Sequence, residues 1–511
     1  MLNVNEQKYA IIDIGSNTVR LVIYSGSRSG RLKEIENVKV VARLRNYLSE
    51  DGILELEGLD VLLDALRGFH HVIRHHEIIE IKCVATATIR QAKNHQFIIE
   101  KVKEETDFLI EILSEYEEAF LGYLAVVYST PFENGITIDI GGGSTEITLF
   151  KERKLLYYHS FPFGALSLKK QFITGQVPVV DELIMLREFL EEQFNTLEWP
   201  RNNQLPIIGI GGSARNMVQI HQASIEYPLA GVHQYMMAKK EIHQIAEWLE
   251  SMTFSELQRV DGLSKDRADI IIPAVEVFRC LLEYVQSDVF ALSRKGLRDG
   301  VFYHYLNKNS DESLPNVIET SLQELAEDFN INLDHVSQVE LCAKQIARLL
   351  NNLGLASFTT HDLDLLKRGV FVYNVGTYID TESSSQHTFY ILANRTINGL
   401  LHKDQIILAL IASFKSKDVF KRYLTSYKKW FTKEEVIKYR LIGAIINFAY
   451  SLNATKRDII EEIDIKEKEG ELTFYIICKK DWKPELNQVD KQKKHLEKQL
   501  NKSITVRYSF A

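Results

Sequence analysis

The sequence predicts an α/β protein with two similar lobes facing a cleft, followed by a helical domain and a small α/β domain. Three observations carry this. Ile11-Ile12-Asp13-Ile14-Gly15-Ser16-Asn17-Thr18 is echoed by Thr137-Ile138-Asp139-Ile140-Gly141-Gly142-Gly143-Ser144-Thr145. Apolar residues recur at three- and four-residue spacing through residues 316–450, as in Val339–Leu353 and Ile406–Phe414. Strand-like alternation returns at Glu471–Cys478 and Ile504–Phe510, around a charged helix at Pro484–Leu500.

Taken in order, Tyr9–Ile14 reads as a strand and Val19–Tyr24 continues it after a tight turn; Glu146–Phe150 does the same for the second copy. Gly with Ser or Asn between two alternating runs signals a hairpin. Leu56–His75 is amphipathic, Ile79–Ala85 is a strand and Ser114–Tyr128 a helix, which completes a first lobe over residues 1–130. A second lobe spans 131–305, with Ile207–Ser213 running from a strand into a Gly-rich turn and a helix. Asn307–Pro315 is a polar linker, 316–450 the helical domain and 451–511 the small α/β domain.

The 511 residues, 45% hydrophobic and 25% charged, have an ordinary globular composition. No apolar run approaches the ~20 residues that span a bilayer, and Met1–Lys8 lacks the features of a secretory signal. Cys83, Cys280, Cys342 and Cys478 are far apart, which argues against a disulfide framework or zinc cluster and for a reducing, cytoplasmic setting. A net charge of −8 excludes general nucleic-acid binding, and no membrane role is expected. The average hides a basic run, Lys415, Lys417, Lys421, Arg422, Lys428 and Lys429, interleaved with Tyr423, Tyr427 and Trp430, and a second from Lys479 to Lys502. These are either solvated helix faces or a track for a long polyanion.

Tight Gly turns expose backbone N–H groups that cradle phosphate oxygens, so Gly15, Gly141, Gly142 and Gly143, with Ser16, Asn17, Thr18, Ser144 and Thr145 beside them, are phosphate-binding candidates. Gly211, Gly212 and Ser213 form a third such turn at a helix N-terminus. Asp13 and Asp139 at strand ends, with Glu146 across the second hairpin, suit a magnesium ion. Arg90 follows a strand and has the planar fork that clamps phosphate. Glu117 closes a Ser-x-x-Glu capping box with Ser114, which is the stronger reading of the residues alone, and a carboxylate near a phosphate cleft is also what a hydrolase needs to activate water.

Taken together, Asp13–Thr18, Thr88-Ile89-Arg90, Glu117-Glu118-Ala119, Asp139–Glu146 and Gly262-Leu263-Ser264 followed by Arg267 resemble the exopolyphosphatase/guanosine pentaphosphate phosphohydrolase family. The resemblance covers most of the first 305 residues. It implies two ribonuclease H-like lobes of the actin-like ATPase type, then an all-α HD-like domain and a small α/β domain. It also implies Glu117 as catalytic base, Asp139 and Glu146 serving metal and water, and Arg90 on phosphate. Tyr373-Asn374 stands where an HD-like domain would carry its metal dyad, with His387 and His402 nearby but no acidic partner, so a second metal site is not expected.

The function this implies is processive hydrolysis of terminal phosphate from inorganic polyphosphate. It would use Mg2+, or Mn2+ in its place, with a monovalent cation as a further candidate, in a homodimer. Guanosine pentaphosphate is the rival substrate. A kinase and a non-catalytic phosphonucleotide sensor are the rivals from other classes.

Overall fold

The computed structural model describes residues 7–26, 32–307 and 314–511, so the first six residues and most of the Asn307–Pro315 linker lie outside the described part. The chain divides into two compact units: 1–227 with 232–317, and 228–231 with 318–511.

The first unit contains the duplicated lobes. In one, β1 (Gln7–Ile14), β2 (Thr18–Gly26) and β3 (Leu32–Val41) form an antiparallel meander, and β4 (Ile78–Ala85) and β5 (Ile110–Ile112) add in parallel beyond β1, giving the order β3-β2-β1-β4-β5. In the other, β6 (Gly135–Ile140), β7 (Thr145–Lys151) and β8 (Lys154–Phe161) form the meander. Beyond β6 lie β9 (Ile207–Ile210) and β11 (Val289–Leu292) in parallel, with β10 (Met236–Ala238) antiparallel at the edge. Apart from β10, the two strand orders are the same, so the repeated motif occupies the same hairpin in each lobe. The apolar runs make central strands: Ile136, Ile138, Ile140, Ile147 and Leu149 are all buried.

The expected Leu56–His75 helix forms with those bounds, its face Leu59, Leu62, Leu63, Leu66 and Phe69 buried against the first sheet. A separate layer comes from the helices Glu115–Val127 and Leu297–Asn307. Leu121, Val301 and Phe302 pack with Ile11, Val22 and Val84 of the first sheet, while Tyr123, Leu124 and Val127 pack with Phe150, Ile208 and Ile210 of the second. One helix therefore touches both sheets. It was assigned from sequence to the first lobe alone.

In the second unit, helices run from Val317 to Leu452. They are followed by a sheet ordered β12 (Ile460–Lys468), β13 (Glu471–Cys478) and β14 (Ile504–Phe510), and by the helix Leu486–Leu500. Strand β12 escaped the sequence reading because Ile460-Glu461-Glu462-Ile463-Asp464-Ile465 buries only its isoleucines on one face and is otherwise acidic. Where the metal dyad was expected to be missing, Tyr373 stacks on Tyr450 with ring centroids 4.3 Å apart. No group of three metal-ligating side chains occurs among the described residues of the chain.

Candidate active site

The two Gly turns are built alike. Gly15 N–H donates to the Thr18 carbonyl at 3.0 Å and Gly141 N–H to the Ser144 carbonyl at 2.9 Å, closing each hairpin. The turns face each other in contact: a Cβ on Gly142 would lie 3.0 Å from Ser16 Cβ and 3.4 Å from the Asn17 nitrogen. The second turn is held from behind, because the N–H groups of Ala165 and Leu166 at the start of helix Ala165–Phe172 donate to the Gly141 and Gly142 carbonyls at 2.9 and 3.1 Å. Ser16 Oγ accepts from Thr88 Oγ1 at 2.8 Å, tying the first turn to the segment after β4.

Gly211 closes the third side. Its φ is +84°, and a Cβ there would lie 2.5 Å from Asp139 Oδ1. Gly211→Ala combines a left-handed backbone that costs about 1–2 kcal/mol for a residue with a Cβ with a clash that must move the carboxylate. The expected result is a lower melting temperature together with reduced turnover; a variant unchanged in both would mean this contact is not maintained in solution.

These turns surround a cavity of about 330 Å³. Asp13, Glu118, Asp139 and Glu146 line it, and so do Arg20, Arg215, Arg267, Arg294 and Arg298. Asp139 and Glu146 sit opposite each other across the β6–β7 hairpin. Burial, reinforced by Asp13, pushes Asp139 up to about 6. Burial and the neighbouring Glu118 hold Glu146 well above the usual carboxylate range, although Ser160 Oγ donates to it at 2.9 Å. Burial raises Glu118 to about 7, with Arg90 pulling the other way. Burial and the neighbouring Arg298 and Arg215 push the Arg20 guanidinium down to about 10. The cavity thus gathers several carboxylates and several arginines: the carboxylates call for a cation and the arginines for a polyanion. The Nε atoms of Arg20 and Arg215 and the Nδ2 of Asn17 are buried donors without hydrogen-bond partners, which an anionic ligand would satisfy.

Of the sequence candidates, Asp13, Gly15, Ser16, Asn17, Thr18, Asp139, Gly141, Gly142, Ser144, Glu146, Gly211 and Gly212 line the cavity. Gly143 and Thr145 do not line it: a Cβ on Gly143 would lie 3.3 Å from Ser16 Oγ, Thr145 Oγ1 donates to the Phe163 carbonyl at 2.8 Å, and Ser213 Oγ accepts from Arg267 at 3.3 Å.

Two candidates are placed elsewhere. Glu117 is outside the cavity: its Oε2 accepts from both the N–H and the hydroxyl of Ser114 at 2.7 Å, which closes the capping box and holds its carboxyl below the usual range. One residue along a helix is a turn of about 100°, so Glu118, not Glu117, faces inward. Arg90 does not line the cavity. Its guanidinium donates to Glu118 Oε2 and to the Leu113 carbonyl, each at 2.8 Å, so it grips the inward carboxylate instead of clamping phosphate.

Asp13 also differs from expectation, since Oδ2 accepts from Arg298 at 2.8 Å. Among the carboxylates lining the cavity, that leaves Asp139 and Glu146 without an ion-pair partner, and hard oxygen donors of this kind fit a divalent cation. Mg2+ is typically held by one or two carboxylates plus phosphate oxygens and water, which this pair and a bound polyanion would provide.

In the second unit Lys415, Lys417, Lys421, Arg422, Lys428 and Lys429 are all exposed, on helix Lys417–Leu424 and the turns beside it. The interleaved aromatics serve the core: Tyr427 is buried and Tyr423 stacks on Phe389 at 4.6 Å.

Against known proteins, residues 22–309 match the Ppx/GppA phosphatase family and 317–499 match Ppx/GppA phosphatase, domain III. A guanosine-5'-triphosphate,3'-diphosphate pyrophosphatase of Pseudoalteromonas translucida is 24% identical over 82% of each chain. Exopolyphosphatase 1 of Mycobacterium tuberculosis is 24% identical over 60% of this chain and 90% of that one. A bifunctional 3-dehydroquinate synthase/phosphatase of Fusobacterium nucleatum is 26% identical over 56% of this chain, which spans only 44% of that longer protein. The crystal structure of the Aquifex aeolicus member of the Ppx/GppA protein family is 28% identical, with TM-score 0.53, over 60% of this chain and 99% of that one.

Proposed function

The chain belongs to the Ppx/GppA phosphatase family and is a hydrolase of phosphoanhydride bonds, and from that premise we propose that it removes terminal phosphate from inorganic polyphosphate. The observation that supports this reading best is the cavity itself, lined by both carboxylates and arginines. In this reading the backbone N–H groups of the two hairpin turns and the Asn17 amide hold the terminal phosphate. The arginines hold the phosphates behind it. Glu118, steadied by Arg90, orients and deprotonates water for in-line attack. Asp139 and Glu146 hold a Mg2+ ion, which when bound neutralises charge on the phosphate oxygens.

We also read the lobes as ribonuclease H-like, the helical segment as an HD-like domain without its metal dyad, and the assembly as a homodimer in the cytoplasm. No helix among the described residues is long and apolar enough to cross a membrane.

Guanosine pentaphosphate is the second reading. It is favoured by one observation: the relative named for guanosine-5'-triphosphate,3'-diphosphate matches along 82% of both chains. Phosphate release with Mg2+ from long polyphosphate and from guanosine pentaphosphate, run in parallel, separates the two. Release from polyphosphate supports the first reading; release from guanosine pentaphosphate alone replaces it with the second; no release from either sinks both.

The exposed lysines of the second unit lead to another expectation. If they track the chain, KM for long polyphosphate rises more steeply with salt than KM for short polyphosphate, because more phosphates meet lysines that salt screens. Equal slopes would remove the track from this reading.

A further inference from the structure

The second unit has a cavity of its own, of about 200 Å³, at the stretch where the sequence showed only the loss of a metal dyad. Tyr373, Tyr450, His335, Asn447, Gln492 and Lys456 line it. No carboxylate does, so a metal cation has no anionic ligand there. Asn447 is only 5% exposed. Its Nδ2 donates to the Phe414 carbonyl at 3.2 Å and to the Tyr373 hydroxyl at 2.9 Å. The carbonyl fixes which end of the amide is nitrogen, and the remaining Oδ1 is buried without a partner. Gln492 Oε1, on helix Leu486–Leu500, is likewise buried without a partner.

The unpartnered Asn447 acceptor and the unpartnered Gln492 amide in the wall of one cavity call for a ligand that brings a donor and can pair with an amide. The rest of the wall defines its shape. Tyr373 and Tyr450 stack at 4.3 Å, and the His335 ring meets Tyr450 edge-on at 5.4 Å, which gives an aromatic wall suited to a flat molecule. His335 Nδ1 accepts from Asn453 Nδ2 at 3.4 Å, so the proton sits on Nε2, a donor for a ring nitrogen or carbonyl of the ligand. The volume equals that of about six or seven liquid waters at ~30 Å³ each, which admits one small heterocycle.

We infer that this cavity binds a nucleobase-type ligand, flat and carrying an N–H donor beside a ring acceptor, independently of the carboxylate- and arginine-lined cavity of the first unit. Lys456 is the group positioned for a phosphate attached to it.

The test uses the full chain and phosphate-free probes, adenosine, guanosine and uridine, which lack the anion that the arginine-lined cavity requires. Calorimetric titration should show one site per chain for at least one of them. Gln492→Leu should weaken that binding about tenfold or more, with the melting temperature unchanged, and Tyr373→Phe should weaken it less. Asn447→Leu strips the Phe414 carbonyl of its donor, so it is used only if circular dichroism shows it folded. Wild-type affinity in Gln492→Leu would overturn the assignment. So would the absence of binding by all three nucleosides at millimolar concentration, which would leave the cavity to water.

Discussion

Glu118→Gln is expected to lower turnover by roughly 10²–10⁴-fold, the usual contribution of a general base, whereas Glu117→Ala is expected to retain turnover. The two residues are adjacent, and the structure gives them opposite environments. Glu117 is exposed and holds the helix start through Ser114, so its loss should cost about 1 kcal/mol of stability, the usual value of a cap, visible as a small fall in Tm. Glu118 is gripped by Arg90 in the cavity wall, and a glutamine there keeps an oxygen to accept from Arg90 while losing the ability to take a proton. Measuring kcat and Tm for both variants separates the roles. A Glu118→Gln enzyme with near wild-type kcat, or a Glu117→Ala enzyme that is folded but dead, would return the base to Glu117.

That comparison shows what the sequence could and could not reveal. The paired hairpins were legible because a Gly turn between alternating apolar runs has one local solution, and its repetition placed Asp13, Asp139 and Glu146 in one cavity. The capping box at Ser114 was legible too: with Glu117 bonded into its own helix cap, Glu118 is the inward carboxylate. The pairing of Arg90 with Glu118 had no local signal, because that partner lies 28 residues away on another element. Arg298 had no local signal at all, since its pairing with Asp13 spans 285 residues and depends on how helix Leu297–Asn307 packs across the first sheet. Arg20 stands directly opposite Asp13 in the hairpin register, and that pairing was available from the motif alone.

The crowded carboxylates predict a stability that depends on pH and on a divalent cation together. Asp139 and Glu118 are raised by burial to about 6 and about 7, and Glu146 is raised well above its ordinary value. In the unfolded chain these groups lose their protons near pH 4. Between pH 4 and pH 7 the folded state therefore binds more protons than the unfolded state, and stability falls as pH rises through that window. For Asp139 alone, the rise from 3.8 to about 6 corresponds to about 3 kcal/mol. A cation held by Asp139 and Glu146 competes with those protons, so added Mg2+ should raise Tm strongly at pH 8 and little at pH 5. The double variant Asp139→Asn, Glu146→Gln should be less sensitive to pH in the absence of Mg2+ and should lose the Mg2+-dependent rise. Thermal melts in EDTA and in Mg2+ at the two pH values read all of this without any substrate. A Tm increase of equal size at pH 5 and pH 8, or one that survives in the double variant, would move the cation away from this carboxylate pair while leaving Glu118 as the group to test for proton transfer.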